Sequence, residues 1–354
     1  MHKRMQWIFG AAALTAALTA CPEITEQDRQ DNLIARDQTG TVITADGTEA
    51  EFDFKSGKDC FKLAYEDNFD YANLDELLAE SLPEGETGYN GGKTRWYAQT
   101  DRNVHPDGVE VGGGTVKMKV KKVAADYKPD GAPEGWAPIA NTLCGGLTYN
   151  QEVFYGVIEA RIKMYKKEYS CYWPGFYTYA EKVDGSGNAE RSIAGYEFEI
   201  FEPLTNNEID QTTRWLWHGD SVADYSWSCP LEFETWITAT VAWTPEKVAY
   251  YLNDELSYVF YNDNRNEYLP ATVVNSVQRA AEGKPSTRIS ADNEYQLTAN
   301  IPQRIILAVE ADQNSGTWTG GLGATSVKRA PDGWEQVVYE YDWFRYYQYV
   351  GTEK

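Results

Sequence analysis

Histidine is scarce in this chain, with only His2, His105 and His218 among 354 residues. That argues against a zinc site and against a Cys–His nucleophile. Cysteine is nearly as sparse, at 21, 60, 144, 171 and 229, and none stands in Cys-x-x-Cys spacing. The last four form an even set, which in an exported protein permits two disulfides in any of three pairings. Positive charge is short as well: 32 Lys and Arg face 54 Asp and Glu, for a net charge of −22. Phosphate contacts need clustered Lys and Arg, so nucleic acid is not an expected partner. A polyanionic substrate is disfavoured too, unless a local basic groove overrides the average. No Gly-rich phosphate loop occurs, so neither a nucleotide nor a redox cofactor is expected.

Long apolar runs are missing. The longest, Ile8 to Ala20, follows His2, Lys3 and Arg4 and is too short for a membrane span, so it reads as an export signal. It closes on Leu18-Thr19-Ala20-Cys21, which resembles the lipobox of bacterial lipoproteins. The resemblance implies cleavage before Cys21 and a lipid on its sulfur. Because no Asp follows Cys21, it also implies an outer-membrane or cell-surface anchor. Removing residues 1–20 takes away Lys3 and Arg4, and the mature charge becomes −24. Residues 22–55 then form an acidic, flexible linker that starts without aromatics and buries too little to order itself. Residues 56–354 remain for one domain with a large core.

Helix signals are few. Only Leu74–Leu82 convinces, with Asn73 placed to cap it and Pro83 to stop it. Period-two alternation is common instead. Thr115–Lys121 puts Val116, Met118 and Val120 on one face and lysines on the other, and Val157–Lys163 does the same with Ile158, Ala160 and Ile162. Trp236–Trp243 and Val248–Leu252 form a strand pair joined by Thr244–Lys247, with a turn signal at Asn253-Asp254. Many short strands without a repeat predict an all-β sandwich. Aromatic residues make up 14% of the chain, often beside polar neighbours. Most fill a core, but a sugar-binding cleft also needs aromatic platforms next to hydrogen-bonding groups.

The segment Gly195-Tyr-Glu-Phe-Glu-Ile-Phe-Glu-Pro203 sets three acidic residues into an otherwise apolar strand. Alternation puts Glu197 and Glu199 on one face and Glu202 on the other, whereas one bulged residue between 199 and 202 would return all three to the same side. Their outer carboxyls would then lie about 5–6 Å apart, the spacing that double displacement at a glycosidic bond requires. In that chemistry Glu197 attacks as the nucleophile and Glu202 donates a proton and later activates water. Glu199 orients Glu197, and crowding of the three supplies a proton donor. The alternative is an ordinary amphipathic strand with solvent-facing glutamates.

Glu197-Phe-Glu-Ile-Phe-Glu202 resembles the Glu-x-Asp-x-x-Glu signature of glycoside hydrolase family 16. Upstream, Phe154–Lys163 and Trp173-Pro-Gly-Phe176 resemble further family segments, as do Val241–Val248, Leu307–Val309 with Trp318–Gly321, and Tyr341–Gln348 downstream. The likeness runs in family order over roughly residues 64–348. It implies a jelly-roll β-sandwich of two curved antiparallel sheets with a concave substrate cleft. It also implies an endo-acting, retaining hydrolase of β-linked polysaccharide, with β-glucans and red-algal galactans of the agar, porphyran or carrageenan type as the substrate classes. Glu199 departs from the family's Asp by one methylene, which leaves open a glycan-binding lipoprotein that does not cut. Trp173, His218, Arg95, Trp96 and Trp318 fall where family members contact substrate, against the alternatives of core packing for Trp173 and Trp318, a satisfied structural role for His218 and a surface ion pair for Arg95. A structural calcium is compatible with the resemblance, but no loop shows a ligand spacing. A monomer is expected, meeting the membrane only through its lipid.

Overall fold

The computed structural model describes residues 42–43, 49–50, 52–53, 59–100, 104–131, 134, 136, 138, 141–170, 172–180, 195–203, 208–217, 220–230, 232–245, 247–261, 302–311 and 325–352, with backbone pairing alone for 208–230. In chain order the first elements are β1 (Val42–Ile43), β2 (Glu49–Ala50), β3 (Phe52–Asp53), β4 (Asp59–Asp67), α1 (Leu74–Ala79), β5 (Trp96–Ala98), β6 (Val109–Val111), β7 (Val116–Lys122) and β8 (Thr142–Cys144). The middle of the chain supplies β9 (Gly146–Val153), β10 (Gly156–Met164), β11 (Tyr169–Ser170), β12 (Tyr172–Ala180), β13 (Gly195–Glu202), β14 (Glu208–Trp217) and β15 (Asp220–Pro230). The last are β16 (Trp236–Trp243), β17 (Lys247–Leu252), β18 (Glu255–Tyr261), β19 (Gln303–Ala311), β20 (Thr325–Ser326) and β21 (Glu335–Thr352).

Two antiparallel sheets make the expected jelly-roll sandwich. One runs β15-β14-β13-β12-β19-β9-β5, the other β18-β17-β16-β10-β21-β4-β3, with β7 attached along β21 and β6 and β8 paired to β7. The alternating segments fold as their pattern dictates. In β7, Val116, Met118 and Val120 are buried while lysines alternate with them, and in β10 Ile158, Ala160 and Ile162 enter the core. Between β17 and β18, Asn253 and Asp254 both take positive φ, 51° and 69°, as a two-residue hairpin turn of matching twist demands.

The helix is shorter than the sequence predicts. Asn73 caps α1 through its side-chain oxygen, which accepts from the Glu76 N–H at 3.0 Å, but the helix stops at Ala79. The chain beyond is taken by a neighbouring segment: Arg95 N–H donates to the Glu80 carbonyl, Ser81 bridges Thr94, and Leu82 N–H donates to the Lys93 carbonyl. Strand-like pairing therefore replaces the last turn before Pro83 can act.

Side chains of both sheets meet in one aromatic core. Phe198 packs edge-on to Trp243 at 5.4 Å and Phe201 to Tyr339 at 5.7 Å, tying β13 to β16 and β21 of the facing sheet. Cys144 is buried in the same core, and the side chains of Cys60, Cys171 and Cys229 lie outside the described residues.

Candidate active site

The strand that carries the three glutamates contains the bulge. Between Glu199 and Glu202 the pairing to β14 slips, with Glu199 opposite Thr212 and Glu202 opposite Asp210, so three steps on β13 match two on its neighbour. The pairing to β12 slips at the same place, where Phe201 faces Phe176 and Glu199 faces Tyr177. The extra residue is absorbed inward: Phe198, Ile200 and Phe201 are all fully buried in the core. Glu197, Glu199 and Glu202 are left together on the opposite, concave face. Tyr339, from the facing sheet, donates its hydroxyl to the Phe201 carbonyl at 3.3 Å and so braces the bulge from behind. Burial, Tyr341, and the carboxylates of Glu202 and Glu199 all push the Tyr339 phenol well above its ordinary value, which keeps it a donor.

Burial differs along the trio. Glu197 is partly exposed, whereas Glu199 and Glu202 are 3% and 5% exposed. Buried carboxylates need partners, and the structure supplies groups that the sequence did not single out. Lys167, between β10 and β11, is itself only 2% exposed. Burial drives its ammonium down to about 8, and the attraction of Glu202 works against that fall. On β12, Tyr177 stands opposite Glu199 and donates its hydroxyl to Glu310 of β19 at 3.0 Å. Burial, together with the carboxylates of Glu310, Glu197 and Glu199, pushes the Tyr177 phenol well above its usual value. A fourth carboxylate thus lies beside the trio. Alternation from Trp173 would have pointed to Tyr177, since Tyr172 and Phe176 are core residues and 173, 175, 177 and 179 take the other face. Lys167 had no such signal, because Tyr165-Lys-Lys-Glu-Tyr169 reads as a solvated connection.

The remaining expected contacts divide. Trp173 is partly buried on the concave side of β12, opposite Glu310. Trp96 does not line the cleft. It is fully buried, and its indole N–H donates to Asp67 at 2.7 Å within a cluster of Tyr65, Phe69, Tyr149 and Phe344. Alternation in β5 sends position 96 inward, which overrides the expected role. Arg95 is likewise committed elsewhere: it pairs with Glu80 at 3.5 Å and lies over the Tyr65 ring at 4.6 Å, as a structural arginine does. His218, Trp318 and Cys21 lie outside the described residues. No group of three or more His, Cys, Asp or Glu is arranged to hold a metal ion among the described residues.

Solved structures share this architecture. An endo-β-1,3-glucanase from Pyrococcus furiosus aligns with 16% identity and a TM-score of 0.53, over 88% of this chain and 99% of that one. The laminarinase catalytic domain from Thermotoga maritima gives 15% and 0.53 over 82% and 99%, and the laminarinase from Rhodothermus marinus gives 15% and 0.51 over 82% and 99%. At such identities the likeness establishes the fold alone. No curated protein matches the chain. A family description, Glycosyl hydrolases family 16, matches residues 96–296, which include the bulged strand and its neighbours on both sides. Together with the jelly-roll topology and the acidic trio on its concave face, this match shows that the chain belongs to glycosyl hydrolases family 16.

Proposed function

We propose that the protein is an endo-acting, retaining glycoside hydrolase that cuts internal β-linkages of a polysaccharide, either a β-glucan or a red-algal galactan. The observation that supports this most is the bulge in β13, which turns Glu202 to the face that carries Glu197 and Glu199. In this reading Glu197, the more exposed of the three, attacks the anomeric carbon while Glu202 protonates the departing oxygen. The Glu197–sugar ester then forms as the glycosidic bond breaks. Water, deprotonated by Glu202, cleaves that ester and restores both groups. Glu199 sits between them and orients Glu197 at the cost of one extra methylene beside the family's usual Asp. Trp173 offers an aromatic platform on the same face. The glucanase activity of the similar proteins agrees with this class of reaction.

An N-terminal lipid on Cys21 would hold the enzyme at the outer membrane or cell surface, where long polymers are met. The competing reading, a surface glycan-binding protein without activity, draws on Glu199 and on the near-complete burial of Glu202. Reducing-end release from a panel of β-glucans and galactans decides between them. The enzymatic reading expects release by the wild type, reduced about 10⁴-fold or more in Glu197→Gln. Binding without any release supports the capture protein instead.

A further inference from the structure

Among the described residues, Arg304 is an arginine without a carboxylate partner. It lies on β19 at a concave-face position, because Ile305, Leu307 and Val309 on the same strand face the core. Its guanidinium carbon is 5.5 Å from the Tyr179 ring centroid on the β12 side, and 4.6 Å from that of Tyr89 on the β9 side. It forms no ion pair with a carboxylate among the described residues, in a protein with 54 acidic side chains. Tyr179 is opposite Arg304 on one side and opposite Glu197 on the other, so the three residues form one row across the sheet.

The clamp is built. Tyr89 is 47% exposed, yet its backbone is fixed: Tyr89 N–H donates to the Asn150 carbonyl at 2.8 Å and Asn90 N–H to the Asn150 side-chain oxygen at 3.2 Å. Asn150 is fully buried and donates in turn to the Thr94 carbonyl at 2.7 Å. Residue 88 must be glycine here, since a β-carbon would come within 2.2 Å of the Asn150 amide nitrogen. A turn docked this firmly onto β9 holds an exposed aromatic ring beside the guanidinium. With a ring 4.6 Å away on one side and another 5.5 Å away on the other, the guanidinium is held in place, and its fork of N–H donors suits a planar or tetrahedral anion.

We infer that Arg304, held by Tyr89 and Tyr179, forms a subsite for an anionic substituent, a sulfate or a carboxylate, on the glycan that occupies the cleft. The inference rests on the cleft reading given above and names the substrate class. Two strand spacings separate Arg304 from Glu197, about 10 Å, so the charge sits on a sugar neighbouring the one attacked. The subsite also reverses the expectation from net charge: a local cation selects an anionic polymer that the −22 surface otherwise repels.

Affinity electrophoresis at 0.15 M salt tests it with laminarin and agarose, each beside its sulfated and its C6-carboxylated derivative. The wild type is expected to bind at least one charged derivative about tenfold more tightly than the neutral parent, as a hydrogen bond to a charged group allows. The sulfated and carboxylated arms identify which anion is read. Arg304→Gln is expected to erase the preference, Arg304→Lys to keep part of it, and Tyr89→Ala to weaken it without altering charge. Equal binding of neutral and charged polymers by the wild type, or a preference that survives in Arg304→Gln, overturns the subsite. Reducing-end release is measured alongside: hydrolysis that persists without charge preference leaves the enzymatic reading standing, and preference without hydrolysis removes that reading alone.

Discussion

Burial means opposite things at Glu199 and Trp96. An indole fully enclosed by Tyr65, Phe69, Tyr149 and Phe344 is where a large apolar group gains most, and its single N–H is satisfied by Asp67. Asp67 also accepts from the hydroxyls of Tyr65 and Tyr71 and from the Phe69 N–H, so the carboxylate is buried among donors. Glu199 is instead buried on the face that it shares with Glu197, Glu202 and the Tyr177–Glu310 pair, the setting in which the proposed reaction places its carboxylates. Trp96→Phe is therefore expected to lower stability by about 1.5–3 kcal/mol, the range for a hydrogen bond to a charged group, and to leave polysaccharide affinity unchanged. Denaturant unfolding beside affinity electrophoresis checks both halves. A stable variant with weakened sugar binding would return Trp96 to the cleft.

At the level of the element, the proposed function turns on one extra residue in β13. The bulge needs a place for its surplus side chain and a partner for its displaced carbonyl; the core receives Phe201, and Tyr339 supplies the bond. Tyr339→Phe is expected to cost about 1 kcal/mol and to reduce kcat more than it raises KM, because the strand that aims Glu202 loses its brace. Unchanged kinetics in a destabilised variant would show that the bulge holds itself. The period-two strands, the hairpin at Asn253-Asp254 and the acidic trio were all legible in the sequence, since each is a local pattern enforced by one-sided burial. Arg304, Tyr89 and Lys167 were not, because their roles arise from which strands and turns become neighbours. The same reason explains Arg95: a guanidinium at the edge of β5 could be noticed in the sequence, but its pairing with Glu80 depends on the turn that ends α1.

For the whole molecule, charge is distributed unevenly enough to make stability depend on pH at both ends. On the outer face, hydrogen bonds from Lys117 and Lys119 hold the Glu110 carboxyl down to about 2 from 4.5. A carboxyl lowered on folding contributes stability above pH 4.5 that fades as the pH falls toward 2. Lys167 works in the other direction. Its folded value of about 8 lies below the ordinary 10.5, so between these values the unfolded chain binds more protons and stability rises with pH. Chemical denaturation from pH 8 to 10 is expected to show a more positive slope for the wild type than for Lys167→Met; identical slopes would mean that Lys167 titrates normally. In the proposed reaction the sandwich holds one curved face rigid behind Glu197 and Glu202, and the order in which anomers appear reads that geometry most directly. Proton NMR of the first products from a β-linked polymer is predicted to show the β-anomer before mutarotation, as two carboxyls about 5–5.5 Å apart require. An α-anomer formed first, or no product from any polymer cut by related glycanases, would contradict the account.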